Sequence, residues 1–468
     1  VLAATNRNFQ PLPTRAALAL GIVAAGGYWI AFGTRFGAAA ILVSIPCFCA
    51  LGRLRTDRQA FYGGLAAGVL AFGPPLCFFW SIFGPVAVLL WLITGFPIGV
   101  FLLLLRTAHR RLGADWTLWL TPMLWTGGEF FRSEVWQLKF AWLLPGQVVA
   151  FVPGVRLAAI GVYGLGFIIA LASAMIVSPR WIFRAIGLCG AITLAIFMYV
   201  PPLPPSPSPA DLPLHVAGVQ LETAGAKEVT AALENLAQEH PEAQILVLSE
   251  YTFVDVVPQS VRDVLRTYHR YLVAGGIRWI DIDKDKFYDT AFVVGPDGRD
   301  IMEQAKSVPV QFMDDGLPAT RRQVWQSPWG RIGIAVCYDL SYARVMDDLV
   351  RQGAAGLIIP TMDGEHWGEF ERRMLHGRVA PVRSAEYGIP VFGVWSSGVS
   401  QLTDRYGRII ATAGYPGHNA TISGPLDLRQ PGHIPPDRLL AVAMTIGSGL
   451  FVACLAACWI SIRCRNQP

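Results

Sequence analysis

Gly330-Arg331-Ile332-Gly333-Ile334-Ala335-Val336-Cys337-Tyr338-Asp339 is an apolar, strand-forming run that stops at a cysteine followed by two polar residues. A helix is expected directly after it, over 341–352. The segment therefore reads as strand, exposed thiol, helix. A cysteine close to a helix N-terminus has conditions that lower its pKa and favour the nucleophilic thiolate. Position alone fits an inert buried cysteine as well, so the neighbouring elements decide.

Those elements alternate. His215–Gln220 reads as a strand, 226–239 as a helix, and Ile245–Leu248 as a buried strand ending at Ser249-Glu250. Tyr271–Ile277 and Ala291–Val294 are further strands, the second closed by the turn Gly295-Pro296-Asp297-Gly298. Leu357–Ile359 precedes a polar loop, a helix is expected over 368–387, and Val391–Val394 is another strand. Strand–helix alternation of this kind implies a layered α/β domain. Such folds build their sites at the C-terminal ends of strands. Glu250, Cys337 and the loop after Ile359 all stand there. A carboxylate at Glu250 suits a helix cap or a general base with a raised pKa. Lys306, in Gln304-Ala305-Lys306-Ser307-Val308-Pro309, is by itself an ordinary solvated charge. Glu, Lys and Cys in that order is the more specific pattern.

The rest of the chain is of another kind. Hydrophobic residues make up 53% and charged residues 15%, where a soluble chain carries roughly 25% charged. The deficit is concentrated in 16–200 and 438–462. A spanning helix needs about 20 apolar residues; the candidate spans are 16–33, 36–52, 60–82, 84–105, 116–131, 155–177, 181–200 and 439–462. Placing the N-terminus in the cytoplasm puts Arg7, Arg15, Arg53, Arg55, Arg58, Arg106, Arg110, Arg111, Arg180, Arg463 and Arg465 on the inner side, as the positive-inside rule requires, and leaves Arg35, Arg132, Lys139 and Arg156 in the outer loops. Seven spans then leave the α/β domain outside the cytoplasm. Trp136, Phe140, Trp142 and Leu143 in the loop 132–154 are expected at the headgroup level. Domains are expected at 1–200 (seven-helix transmembrane domain), 201–210 (stiff Pro-rich linker), 211–437 (catalytic domain) and 438–468 (C-terminal span and short tail). The net charge of +5 resides in loops and forms no aromatic-interleaved patch, so no nucleic-acid partner is implied. Seven of the eight cysteines lie in or beside apolar segments and no CxxC pair occurs, which suits packing rather than metal or redox chemistry.

The ordered Glu250, Lys306 and Cys337 resemble the catalytic triad of the nitrilase (carbon-nitrogen hydrolase) superfamily. Tyr288-Asp289-Thr290-Ala291, Arg383-Ser384-Ala385-Glu386-Tyr387-Gly388, Ser397-Gly398-Val399-Ser400 and Asp404-Arg405-Tyr406-Gly407 are similar to its other segments. Glu129-Phe130-Phe131-Arg132, Trp142-Leu143 and Gly161-Val162-Tyr163-Gly164-Leu165-Gly166-Phe167 resemble the membrane half of the apolipoprotein N-acyltransferase family. These resemblances imply an α-helical polytopic membrane domain plus an α/β nitrilase-like α-β-β-α sandwich, in a bacterial inner membrane with the sandwich on the periplasmic side. They imply that Cys337 takes an acyl chain from a phospholipid donor as a thioester and passes it to a lipoprotein N-terminus or other amine acceptor. Glu250 would be the base and Lys306 the oxyanion partner, with no metal or organic cofactor.

The match departs at one loop. The family's Leu-Val-Pro-Phe-Gly-Glu run after the lysine is here Ser307-Val308-Pro309-Val310-Gln311-Phe312-Met313-Asp314-Asp315-Gly316. Asp314 or Asp315 stands in for the missing glutamate or forms an acidic turn, and Asp339 shortens the family's Cys-Tyr-Glu. TraB-type conjugal-transfer proteins resemble this variant. Tyr338, Trp367 and Glu386 are candidate substrate contacts. His366 offers a Cys–His dyad that Glu250 makes unnecessary, so a structural or lipid-contact role is expected for it and for Trp367. A membrane-tethered amidase is the other enzymatic reading of the same triad, and a catalytically silent envelope component the non-enzymatic one.

Overall fold

A computed structural model of the chain describes residues 9–151, 156–200, 214–222, 224–367, 375–414 and 419–465. The expected Pro-rich linker at 201–210 lies outside the described residues. The chain divides into two compact units, one of 1–202, 370–375 and 435–468, the other of 203–369 and 376–434.

The first unit is helical: α1 (Thr14–Gly33), α2 (Ile41–Leu51), α3 (Asp57–Phe72), α4 (Phe79–Phe83), α5 (Val86–Arg111), α6 (Ala114–Phe130), α7 (Leu157–Ile176) and α8 (Trp181–Tyr199). Helix α3 starts at a capping box, in which Thr56 Oγ1 accepts Gln59 N–H and Gln59 Oε1 accepts Thr56 N–H, satisfying two orphan donors. It packs on α5 through Gly64 and Gly68 against Gly95 and Gly99. A Cβ at Gly64 would lie 2.9 Å from the Gly99 Cα. Small residues allow this backbone approach, the usual device where no water drives helices together. The expected single span 60–82 is interrupted. Helix α3 ends at Phe72, a 3-10 turn covers Pro74–Leu76, and α4 starts only at Phe79. Two consecutive prolines supply no backbone donor and block the helix. Trp142 and Leu143, expected at the headgroup level, are instead buried, 8% and 1% exposed. Arg132 Nη2 donates to Trp142 O at 3.0 Å, and Phe78 and Phe140 pack on the Trp142 ring.

The second unit is a sandwich of two six-stranded sheets. Its chain order is β1 (Leu214–Val219), α9 (Ala226–Glu239), β2 (Ile245–Val247), α10 (Gln259–Tyr268), β3 (Tyr271–Asp281), β4 (Lys286–Val294), β5 (Asp300–Ala305), β6 (Val324–Ser327), β7 (Gly330–Ile334), α11 (Ala343–Arg351), β8 (Gly356–Thr361), α12 (Val379–Tyr387), β9 (Val391–Trp395), β10 (Ser400–Thr403), β11 (Ile409–Ala413) and β12 (Thr421–Leu426). The sheet orders are β12-β1-β2-β3-β4-β5 and β11-β10-β9-β8-β7-β6. Strands β1, β2 and β3 run parallel in the first, and β7, β8 and β9 in the second. Buried Val229, Leu233, Val261 and Leu265 of α9 and α10 pack against Ala217, Leu246, Leu272 and Phe292 of the first sheet. The inner faces of the sheets meet closely, since a Cβ at Gly218 of β1 would reach Val394 of β9 at 2.5 Å. The outcome is an α-β-β-α sandwich. Of the expected helix over 368–387, Val379–Tyr387 forms a helix preceded by a turn at 377–378, and positions 368–374 lie outside the described residues.

The chain returns to the helical unit as α13 (Asp437–Arg465). Gly161 breaks α7 with φ 72°, ψ 169°. Asp437 Oδ2 accepts the N–H groups of Tyr163 (2.8 Å) and Gly164 (3.1 Å) beyond that break. A buried carboxylate thus caps the helix that restarts there. Among the described residues, five helices are long and apolar enough to cross a membrane: 14–33, 86–111, 157–176, 181–199 and 437–461. The other expected spans are shorter helices, α2, α3 and α6.

Candidate active site

Glu250 lies three residues beyond the end of β2, Lys306 one beyond β5, and Cys337 three beyond β7. The structure brings all three together in the sandwich unit. Lys306 Nζ donates to Glu250 Oε1 at 2.7 Å, and the Glu250 carboxylate is near enough to the Cys337 thiol to raise its pKa. The second oxygen of Glu250 accepts Met362 N–H at 2.6 Å, which fixes the carboxylate from both sides. Cys337 sits at φ +47°, in the left-handed region that side chains enter at a cost. Its backbone turns sharply there from strand into the 3-10 segment Cys337–Ser341, and its Sγ lies 3.9 Å from Met362 O.

The thiol is not activated as the sequence suggests. Helix α11 begins only at Ala343, and Cys337 is 7% exposed. Burial first, then the neighbouring Glu250 carboxylate, push its pKa well above the usual thiol value. For Glu250, burial alone would raise the pKa. The Lys306 ammonium, hydrogen-bonded to it, outweighs burial and holds the carboxyl below its ordinary value. Burial would lower Lys306, but Glu250, Asp315, Cys337 and Asp289 raise it well above the usual amine range. The resting site is therefore thiol, carboxylate and ammonium.

Of the two candidate auxiliary acids after Lys306, Asp315 turns inward and Asp314 faces outward. Asp315 Oδ2 is 2.7 Å from Lys306 Nζ and accepts Val310 N–H at 2.6 Å, while Oδ1 accepts the Tyr251 hydroxyl at 2.8 Å. Asp339 makes no direct ion pair with Lys306 among the described residues. Its carboxylate accepts the backbone N–H groups of Ser307 and Val308. Tyr338 is buried with its ring 5.0 Å from that of Tyr342. Trp367 is half-buried against the exposed His366. Glu386 lies far inside, 0% exposed. It pairs with Arg383, whose guanidinium donates to Leu340 O and Ser341 O. It thereby braces the cysteine loop from behind.

Sequence reasoning missed Asp289. Strand β4 places it inward, 0% exposed, with Oδ2 3.2 Å from Lys306 Nζ. Its signal was an acid among the otherwise apolar or hydroxylated inward positions of β4. Glu250, Asp289 and Asp315 have the spacing of a cation site, their oxygens lying within 4.8 Å of one another. The Lys306 ammonium already stands among them.

Comparison with known proteins agrees with this architecture. A carbon-nitrogen hydrolase family model matches residues 194–430, and an apolipoprotein N-acyltransferase N-terminal domain model matches 16–175. Omega-amidase NIT2-B of Xenopus laevis is 28% identical over 180 residues, 34% of this chain and 62% of that protein. An apolipoprotein N-acyltransferase of Azotobacter vinelandii is 26% identical over 340 residues, 61% of this chain and 63% of that protein. The chain thus spans less than two thirds of the length of each of these relatives. Among solved structures, Saccharomyces cerevisiae Nit3 is 20% identical, with TM-score 0.40, covering 47% of this chain and 93% of its own. The first model spans just over half of the 468 residues, so the chain belongs to the carbon-nitrogen hydrolase family, joined here to an apolipoprotein N-acyltransferase-type helical domain.

Proposed function

We propose that the chain is a membrane-bound N-acyltransferase that moves an acyl chain from a phospholipid to an amine through a thioester on Cys337. The observation that carries this reading is the buried Cys337–Glu250–Lys306 cluster in a chain whose helical domain matches the acyltransferase model. Glu250 takes the thiol proton as Sγ attacks the ester carbonyl carbon and the C–S bond forms. Protonation removes the charge that holds Lys306, which frees an ammonium N–H for the developing oxyanion. The backbone N–H after Cys337 serves the same oxygen. Charge stabilisation of this kind is usually the largest catalytic contribution. The ester C–O bond then breaks, Glu250 returns its proton to the departing alkoxide, and lysophospholipid leaves.

In the second half-reaction the acceptor amine attacks the thioester, Glu250 removes the amine proton, and the Cys337 thiol re-forms as the amide is released. A thioester divides one hard transfer into two easier ones. The acceptor proposed is the N-terminus of a lipoprotein. The location proposed is a bacterial inner membrane with the sandwich on the periplasmic side, as the arginine distribution favours.

The test presents the purified full chain with phospholipid vesicles and, separately, with small amides. Lysophospholipid release that depends on Cys337 and on an amine supports acyl transfer. Ammonia release from the amides without lysophospholipid would make the chain an amidase.

A further inference from the structure

Glu250, Asp289 and Asp315 surround a single ammonium, that of Lys306. Glu250 is 3% exposed, Asp289 0% and Lys306 1%. Three ionised carboxylates here would leave two negative charges uncompensated in a site closed to water, which is severely unfavourable. Hydrogen-bond donors distinguish the three. Glu250 accepts from Lys306 and from Met362 N–H. Asp315 is paired with Lys306 and accepts from Tyr251 and from Val310 N–H. Asp289 is 3.2 Å from the ammonium, yet among the described residues neither of its oxygens accepts a hydrogen bond of adequate geometry. Its backbone carbonyl is occupied in holding Lys306 N–H at 2.8 Å.

A buried carboxylate needs donors, whereas a carboxylic acid needs one acceptor for its own proton. The nearest candidate acceptor is the Glu250 carboxylate, an oxygen of which lies within 4.8 Å of an Asp289 oxygen. We propose that Asp289 is a neutral carboxylic acid that donates a hydrogen bond to Glu250, and that this bond orients the base and sets its affinity for the Cys337 proton. The charged and titratable groups facing Asp289 are Glu250, Lys306, Asp315 and Tyr251. Lys306 is the single cation of that set, and Glu250 and Asp315 already compete for it. Burial, then the nearby Glu250 charge, push the Asp289 carboxyl well above the usual range, in the same sense as the geometry.

Asp289 is thus a positioning residue, and the proposal rests on Glu250 acting as the base. Its consequence is selective. Asn has the same shape, is neutral at every pH, and donates an amide N–H to Glu250. Leu has similar bulk and donates nothing.

Two measurements on the full chain in detergent test this, and neither requires acyl transfer. The first is infrared spectroscopy with carbonyl-labelled aspartate at about pH 8, above the range where Asp339 titrates (about 6). A protonated-aspartic C=O band is expected in the wild type and is lost in D289N. A wild-type spectrum without that band overturns the proposal, and this arm holds even where D289N fails to fold. The second is the pH dependence of Cys337 alkylation by iodoacetamide. D289N is expected within about threefold of wild type with its acidic limb unmoved, and D289L about tenfold slower or more. If removing an ionised neighbour is what D289N does, its acidic limb moves down by about one unit or more, and the proposal fails. A positive infrared result with no lysophospholipid release would sink the acyltransferase reading alone.

Discussion

Asp339 accepts the backbone N–H of Ser307 with both carboxylate oxygens at 2.9 Å. Ser307 follows Lys306, and Asp339 lies two residues past Cys337, so one side chain ties the ammonium's strand end to the thiol's loop. A third acceptance, from Val308 N–H at 2.8 Å, tightens the same join.

Asp339 also makes stability depend on pH. Burial, only partly offset by hydrogen bonds from Ser307 and Val308, raises its pKa from 3.8 to about 6. For a raised carboxyl the folded state favours the proton. The associated stability is complete below about pH 4 and is lost as pH rises through about 6. D339N is expected to remove this part of the slope. Chemical unfolding of both proteins at several pH values checks it: the wild type loses stability relative to D339N between about pH 4 and 6. Parallel curves for the two proteins would contradict this assignment.

Lys306 neutralises a cluster that is otherwise wholly acidic. K306M leaves buried carboxylates without their partner, a change that costs about 3–5 kcal/mol. The deficit is expected to shrink as pH falls from about 8 to about 5, because protonation then replaces the ammonium. Thermal unfolding in detergent measures it. A K306M deficit that is constant with pH would mean the cost is one of packing and not of charge.

Gly161 and Asp437 lock two helices of the membrane-type unit together. A Cβ at Gly161 would lie 2.0 Å from the Asp437 carboxyl, on a backbone at φ +72° that favours glycine. D437A is expected to cost about 0.5–2 kcal/mol through loss of the cap. G161A is expected to cost more, since it adds backbone strain and displaces the carboxylate as well. Unfolding temperatures of the two variants settle the order.

The sequence made the sandwich's interior strands legible and its margins poorly so. Strands β2, β8 and β9 are largely apolar and buried throughout, β7 is buried over Ile332–Ile334, and the ends of β2 and β7 placed Glu250 and Cys337. Strand β5, Asp300-Ile301-Met302-Glu303-Gln304-Ala305, is a sheet edge with a mostly exposed pattern, and no apolar run announces it. Helix α10 was missed although Val261, Val264 and Leu265 carry the i, i+3, i+4 spacing of a buried face. Asp289 and Asp315 could not be ranked from sequence. An acid aimed at a buried ammonium and one in a solvated turn differ only in what lies across the fold. Glu386 shows the reverse case, an acid singled out for substrate that instead braces Arg383 beneath the Cys337 loop.

Acyl transfer by this route requires that the Cys337 sulfur carry an acyl group during turnover. Intact-mass and peptide mass spectrometry of the full chain, incubated with phospholipid and no amine, reads this directly. A thioester-linked acyl adduct on Cys337 is expected, cleared by hydroxylamine or an amine acceptor, absent from C337S as a thioester and strongly reduced in E250Q. A protein that releases lysophospholipid while Cys337 stays unmodified under these conditions would contradict it.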